Sequence, residues 1–186
     1  STKCLAIDTG SEHGVSLSPK RWREWTARHP KRTKTLVAYY MPGAGLVVRE
    51  ESWADEISFG RITLRDVPVN EANVAEINLG SPGYEATLGL AALKRLDLII
   101  DGRKNIAYIK SKKTPPGGYA HNRIGAIFAP ADVHRGDDLI ATVLDGSPAH
   151  DAGIRSGDLL LKINEEDVTN WRNDSTSTPN TKFREL

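Results

Sequence analysis

The sequence predicts a mostly β protein with short helices, arranged as two domains. Short apolar runs recur between turn residues from Leu5 to about Ile109, as strands do. Only two segments of that region carry helical signals, and both are short. A stretch with paired prolines and paired glycines then interrupts the chain before a second set of strands begins.

The predicted strands of the first domain are rich in β-branched, aromatic and aliphatic residues. They are Leu36–Tyr40, Leu46–Val48, Ile57–Phe59, Ile62–Leu64 and Ile106–Ile109. The first helix begins at Ser18-Pro19, because serine caps a helix and proline fits its first turn, and it must end before Pro30. The second helix is predicted from Leu88 to Leu96, where apolar residues recur with helical periodicity.

The segment from Lys110 to Gly118 combines charge with proline and glycine and continues neither a helix nor a strand. We therefore predict three parts: a first domain over 1–110, a linker over 111–121 and a second domain over 122–186. The elements expected in the second domain are strands Ile124–Phe128, Leu139–Leu144 and Leu159–Ile163 and a helix opened by Ser147-Pro148. The polar stretch 173–181 is predicted to be a loop.

Composition excludes some partners and bonds. The 25 basic and 24 acidic residues nearly balance, so no overall field attracts nucleic acid or an anionic membrane. Cys4 is the only cysteine, which excludes an internal disulfide. No stretch approaches the roughly 20 apolar residues of a membrane-spanning helix, so no membrane span is predicted in this chain.

The tripeptide Asp8-Thr9-Gly10 follows an apolar run and occurs once in the 186 residues. In an active site Asp8 would act as acid or base, Thr9 would bond to a partner loop, and Gly10 would bring a backbone N–H to the carboxylate. Aspartic-peptidase chemistry needs two carboxylates that share a proton. A single motif therefore requires a second carboxylate from a second chain. The structural alternative is an Asx turn that ends a strand.

A second segment, Ala86–Asp101, lies at a fitting distance along the chain. Residues 5 to about 110 resemble the retropepsin-like aspartic peptidases, in which an apolar pair and a glycine precede a helix, a strand and a closing hairpin. The resemblance implies a closed β-barrel whose catalytic residues are Asp8, Thr9 and Gly10. It implies that the active-site loop is supported by Leu88 and Gly89. It also implies a flap over the substrate, formed by Tyr40, Met41, Pro42, Gly43, Ala44 and Gly45.

The same resemblance implies a homodimer that hydrolyses a peptide or protein substrate through a water activated by the paired Asp8 carboxylates. It requires no cofactor, and it favours a periplasmic or secreted location over a cytoplasmic one. The sequence departs from the family pattern at Thr87, which replaces one residue of the apolar pair. Only seven residues precede Asp8, so we expect the N-terminal edge of the domain to be missing from this chain.

The segment Asp145–Asn164 is similar to bacterial PDZ domains, because Ser-Pro-Ala, Ala-Gly and Gly-Asp occur there with the spacing of that family. Ser147 is expected to cap a short helix and Gly153 to end it. The resemblance implies a PDZ-like β/α domain that binds C-terminal peptides, with backbone N–H groups on the carboxylate and a strand edge that pairs with the peptide. The binding residues it implies are Ile124, Gly125, Ala126 and Ile127. We expect the C-terminal strand of this domain to be missing from the chain.

Other patterns carry weaker signals. The basic and aromatic segment around Trp22 and Trp25 resembles single-strand nucleic-acid binders, but a buried helix face explains it more simply, and no nucleic-acid partner is predicted. Ser147, His150 and Asp151 lie on one helical turn, which cannot align a catalytic triad. The histidines show no paired ligand spacing, and no metal site is predicted. The alternative function is a non-catalytic peptide-binding or scaffold protein with a protease-like domain.

Overall fold

The computed structural model describes residues 4–41, 45–72, 84–113, 121–131, 136–169 and 171. Its strands are β1 (Cys4–Ile7), β2 (Val15–Leu17), β3 (Lys34–Met41), β4 (Gly45–Phe59), β5 (Ile62–Glu71), β6 (Tyr84–Leu88), β7 (Leu96–Asp101), β8 (Ile106–Ser111), β9 (Ala126–Ala129), β10 (Ile140–Val143), β11 (Lys162–Ile163) and β12 (Glu166–Asp167). Its helices are α1 (Pro19–Arg28), α2 (Leu90–Leu93) and α3 (Pro148–Asp151). The prediction of a mostly β protein with short helices is confirmed.

The chain divides into two compact units, and the division is not continuous along the sequence. Unit 1 comprises Ser1–Lys34 and Glu50–His121. Unit 2 comprises Thr35–Arg49 and Asn122–Leu186. The segment Thr35–Arg49 therefore belongs to the same unit as the C-terminal part of the chain, although the sequence predicts it in the first domain.

Six strands form one sheet in the order β1-β6-β2-β5-β4-β3. β6 runs parallel to β1 and antiparallel to β2, so it separates two strands that are consecutive in the sequence. β5 is parallel to β2 and antiparallel to β4. The strands that the structure describes form no closed barrel, because closure requires the first and last strands to pair, whereas β1 and β3 stand at opposite ends of the order. The closed β-barrel expected for the first domain is therefore not confirmed.

The core of unit 1 joins this sheet to α1. The helix begins as predicted, with Pro19 as its first residue and the Ser18 Oγ accepting the N–H of Arg21 at 3.5 Å. Trp22 and Trp25 are each 6% exposed, and their ring centroids are 5.6 Å apart. The prediction that the two tryptophans form the buried face of the helix is confirmed. They share one apolar cluster with strand residues Val15, Leu17, Leu64, Val67, Val69, Ala86 and Leu88.

The second helix is much shorter than predicted. α2 covers only Leu90–Leu93, whereas Leu88 ends β6 and Leu96 begins β7. Leu88 and Leu96 are both buried. The helical spacing of apolar residues in this segment thus comes from two strands that flank a single helical turn. β7 then pairs with β8 as an antiparallel hairpin.

In unit 2, β9 pairs antiparallel with β10, with Ala126 opposite Val143 and Ala129 opposite Ile140. Two predicted strands are confirmed with shifted bounds. The third, predicted over Leu159–Ile163, is only partly formed, since Leu159 makes an isolated bridge and β11 is two residues long. α3 begins at Pro148 with Ser147 as its cap, as predicted.

Some predictions concern residues outside the described ranges. These include positions 114–120 of the predicted linker and the polar stretch 173–181. The chain passes from unit 1 to unit 2 between His121 and Asn122. In the part of the chain that the structure describes, each helix is too short or too polar to cross a membrane.

Candidate functional site

Asp8 directly follows β1, and its side chain is exposed. Its backbone N–H donates to the carbonyl of Leu88 at 3.0 Å, which extends the contact between β1 and β6. The Gly10 N–H donates to Asp8 Oδ1 at 2.8 Å. This bond holds the carboxylate as expected in a catalytic loop, and it also closes an Asx turn. Thr9 is exposed between the two residues.

Gly89 lies against the backbone of the loop that follows Asp8. A Cβ at this position would be 2.4 Å from the carbonyl oxygen of His13 and 3.0 Å from that of Ser11, so only glycine fits. The N–H groups of Leu90 and Ala91 donate to the same two carbonyls, at 2.7 Å and 3.0 Å. The start of α2 therefore fixes the path of the loop on the C-terminal side of the Asp-Thr-Gly motif.

The residues predicted to form a flap lie at the end of β3 and the start of β4. Tyr40 is 50% exposed, Met41 is half-buried, and Gly45 has a φ of 77°. The other three lie outside the described residues: Pro42, Gly43 and Ala44. Thr35–Arg49 belongs to unit 2, whereas the Asp-Thr-Gly loop belongs to unit 1. The structure therefore brings Asp8 close to Gly89 and assigns the candidate flap to the other unit.

Glu51 is a buried carboxyl group that the sequence analysis did not single out. It lies in β4, is 2% exposed, and its Oε2 has no hydrogen-bond partner among the described residues. Burial raises the pKa of this carboxyl to about 7. The group is therefore protonated over much of the acidic range, which reduces the cost of burying it.

Two further patterns have structural explanations. The Ser147 Oγ accepts the N–H of His150 at 3.3 Å, which is the bond of a helix cap. This confirms the capping role predicted for Ser147. Within the described ranges, no three His, Cys, Asp or Glu side chains are grouped so that they could hold a metal ion.

In unit 2, Ile124 and Gly125 lie in a turn that leads into β9, and Ala126 and Ile127 are the first two residues of that strand. Gly125 has a φ of 71°, and a Cβ there would be 2.4 Å from the Cβ of Ser147, so glycine is required on both counts. The Gly125 carbonyl accepts the N–H of Leu144, and the Ile124 carbonyl accepts that of Ala149, both at 2.9 Å. The turn is thus bonded to α3 and to the residue that directly follows β10. The Ile124 side chain is 48% exposed beside it.

β9 offers an edge for strand addition. Among the described residues it pairs with β10 alone. Backbone groups in an antiparallel ladder alternate between the two sides of a strand. The Gly125 carbonyl bonds to Leu144, which directly follows β10, and Ala126 stands opposite Val143, so the N–H and C=O of Ala126 face the opposite edge. This is the edge to which an extended peptide would add.

Asn122 occupies the turn in a way that the sequence analysis did not foresee. Its Oδ1 accepts the N–H groups of Ile124 at 3.0 Å and Gly125 at 3.1 Å. We expected these N–H groups to be exposed for a carboxylate, and the structure shows that they already have an acceptor. A signal was present in the sequence, because asparagine side chains readily accept N–H groups two and three residues further along the chain.

Comparison with known protein families agrees with this architecture. The family described as PDZ domain matches residues 128–182. No solved structure matches the chain at a significant level. The match supports a PDZ domain in the C-terminal part of the chain, and it begins directly after the candidate binding residues 124–127. PDZ domains bind peptides or protein segments, so binding of a peptide or protein is a function of this part of the chain.

Proposed function

We propose that this chain belongs to a homodimeric aspartic endopeptidase of the retropepsin-like class, in which the PDZ domain binds the C-terminus of a peptide or protein. Two Asp8 carboxylates, one from each chain, would form the active site. The observation that carries the proposal is the Asp8 loop: an exposed carboxylate held by the Gly10 N–H, in a loop packed on Gly89.

The chemistry follows from the pairing of two carboxylates. At close range both do not ionise, so one Asp8 is charged and the other is protonated. The charged Asp8 takes a proton from a water molecule, which attacks the scissile carbonyl. The protonated Asp8 gives its proton to the carbonyl oxygen, which yields a tetrahedral intermediate with two hydroxyl groups. The C–N bond then breaks as the first Asp8 passes the proton taken from water to the leaving nitrogen, and one hydroxyl returns a proton to the second Asp8. The Gly10 N–H supports this role because its hydrogen bond holds the Asp8 carboxylate in a fixed position.

The proposal for the PDZ domain is supported by the turn at Gly125 and the edge of β9. The turn contains the consecutive N–H groups of Ile124 and Gly125, and the edge contains the N–H and C=O of Ala126; the Asn122 side chain bonds to both N–H groups and to that C=O in this structure. A carboxylate would bind the first, and an extended peptide would pair with the second. The exposed Ile124 side chain favours an apolar last residue.

The test of catalysis is a substitution that replaces one carboxylate oxygen of Asp8 by an amide nitrogen. Asp8→Asn in the full-length protein should lower the rate of hydrolysis of a mixed peptide library by about 100-fold or more, because acid–base exchange is lost while shape is kept. Asp97→Asn is the control, since Asp97 is also an exposed carboxylate in unit 1. It should retain full activity. Hydrolysis at the wild-type rate by the Asp8→Asn protein would show that Asp8 is not the catalytic group. Absence of hydrolysis by the wild type would leave a non-catalytic peptide-binding protein as the better description.

A further inference from the structure

The side-chain amide of Asn122 forms four hydrogen bonds at the entrance to β9. Its Oδ1 accepts two N–H groups, those of Ile124 and Gly125. Its Nδ2 donates to two carbonyls, that of Ala126 at 2.8 Å and that of Leu36 at 3.2 Å. The orientation of the amide is fixed by these partners, because only an oxygen accepts two N–H groups and only a nitrogen donates to two carbonyls.

These bonds use the same backbone groups that a bound peptide would need. The last residue of a peptide brings a carboxylate, which accepts N–H groups, and a backbone N–H, which donates to a carbonyl of the adjacent strand. The Asn122 amide brings an oxygen to the turn and an N–H to Ala126, whose carbonyl faces the open edge of β9. The side chain thus imitates the end of a peptide.

We propose that Asn122 is an internal competitor for the peptide-binding groove, which it closes until a C-terminal carboxylate displaces it. This inference rests on the proposed function of the PDZ domain in binding C-termini. A carboxylate is charged and forms stronger hydrogen bonds than a neutral amide. An incoming peptide therefore replaces the amide, at the cost of part of its own binding energy.

Displacement of Asn122 has a consequence in β3. The Nδ2 of Asn122 also donates to the Leu36 carbonyl, and the Thr35 Oγ1 donates to the Asn122 carbonyl at 2.6 Å. Thr35, Leu36 and Asn122 all belong to unit 2. Binding of a peptide would break the bond to Leu36, so occupancy of the groove is communicated to the hairpin that the sequence predicts as a flap.

Bonds other than those of Asn122 also hold the shape of the turn. The carbonyls of Ile124 and Gly125 are bound by the N–H groups of Ala149 and Leu144, and the Ser147 Oγ contacts the Gly125 carbonyl at 3.4 Å. Asn122→Ala should therefore leave the turn intact and free its N–H groups. Asn122→Asp keeps an acceptor in place and gives it a charge, so it should compete more strongly than asparagine.

The experiment is an NMR titration of the full-length protein with N-acetyl-leucine, followed at the amides of Ile124 and Gly125. N-acetyl-leucinamide, which lacks the carboxylate, is the control ligand. We expect Asn122→Ala to bind N-acetyl-leucine about tenfold more tightly than the wild type, and Asn122→Asp to bind it more weakly. Both variants lose the bond to Leu36, so opposite changes separate competition from general damage to the turn. Equal affinities, or changes in the same direction, would overturn the proposal.

The same titration reports on β3 through the amide nitrogen of Val37, which shares a peptide bond with the Leu36 carbonyl. In the wild type its chemical shift should change with the same Kd as the turn, and in Asn122→Ala it should not change. A Val37 chemical shift that does not change when the ligand binds to the wild type would contradict the proposed link between Asn122 and β3. If no variant distinguishes N-acetyl-leucine from its amide, carboxylate recognition itself fails. If the wild type distinguishes them but Asn122→Ala binds no more tightly, only the role of Asn122 is wrong.

Discussion

At the scale of single residues, the Asp8 loop depends on a glycine more than 80 positions away. Gly89 allows the backbone of residues 11–13 to approach so closely that a Cβ would be 2.4 Å from a carbonyl oxygen. Real Cβ atoms do not come so near, so any other side chain must move the loop. The position of the candidate catalytic carboxylate thus depends partly on the lack of a Cβ at Gly89.

Gly89→Ala should lower the free energy of unfolding by about 2 kcal/mol or more, because the added methyl group overlaps backbone that cannot rotate away. Urea unfolding measures the change. Gly102→Ala is the matched control, since a Cβ there has no atom within 4 Å and its φ is not in the left-handed region. It should change stability by less than about 0.5 kcal/mol. Equal effects of the two substitutions would contradict the close packing at Gly89.

Glu51 makes stability depend on pH. Its pKa is raised from 4.5 to about 7 in the folded protein, so the folded state binds the proton more tightly than the unfolded state does. This stabilisation is complete below about pH 4.5 and is lost as the pH rises to 7 and above. Relative to Glu51→Gln, the free energy of unfolding of the wild type should therefore fall by up to roughly 3 kcal/mol between pH 4 and pH 8.

Thermal unfolding of the wild type and Glu51→Gln at several pH values tests this. Glu56→Gln serves as the control, because Glu56 lies in the same strand but is exposed and pairs with Arg65 at the surface. A constant difference between wild type and Glu51→Gln across that range would show that the carboxyl does not titrate as its burial predicts.

At the scale of elements, the sequence predicted those helices whose signals lie within the helix itself. The cap and proline at Ser18-Pro19 and the apolar spacing of the tryptophans were sufficient for α1, because these signals act within one helix. The pattern from Leu88 to Leu96 was misassigned, because strands and a short helix that meet in one core produce the same spacing of apolar residues. The closed barrel that we expected would depend on pairing between distant strands, which no local pattern specifies.

The residues of the candidate site also fall into those that the sequence indicated and those that only the structure revealed. Asp8, Gly10 and Gly89 were found from motifs, because each motif requires a particular residue type at a fixed position. Asn122 and Glu51 were missed, because their roles arise only when the turn or the sheet is assembled around them. A polar residue in a loop and an acidic residue in a strand are ordinary in a sequence and become informative only with their partners.

The cap of α3 gives a prediction at this scale. Ser147→Ala should destabilise unit 2 by about 1 kcal/mol, because the His150 N–H loses its acceptor and the Gly125 carbonyl loses a donor. Hydrogen exchange of the amides in 147–152 should accelerate accordingly. Ser58→Ala, an exposed serine in β4, is the control and should leave exchange in this segment unchanged.

At the scale of the whole molecule, the chain carries a PDZ domain and a loop that is half of a proposed active site. The units are assembled from discontinuous segments, so the chain passes from unit 1 to unit 2 and back on either side of Thr35–Arg49. In the proposed function, the single Asp-Thr-Gly motif of this sequence makes dimerisation a condition of catalysis. This condition predicts a result that an enzyme acting as a single chain would not give.

The measurement is the peptidase activity of wild-type chains equilibrated with an excess of Asp8→Asn chains. Mixed dimers carry one ionisable carboxylate and should be inactive, so a tenfold excess should reduce the activity per wild-type chain by about tenfold. An equal excess of Asp97→Asn chains, which keep Asp8, should cause no loss. Activity that is unaffected by Asp8→Asn chains would show that each chain acts alone, and it would contradict the shared active site.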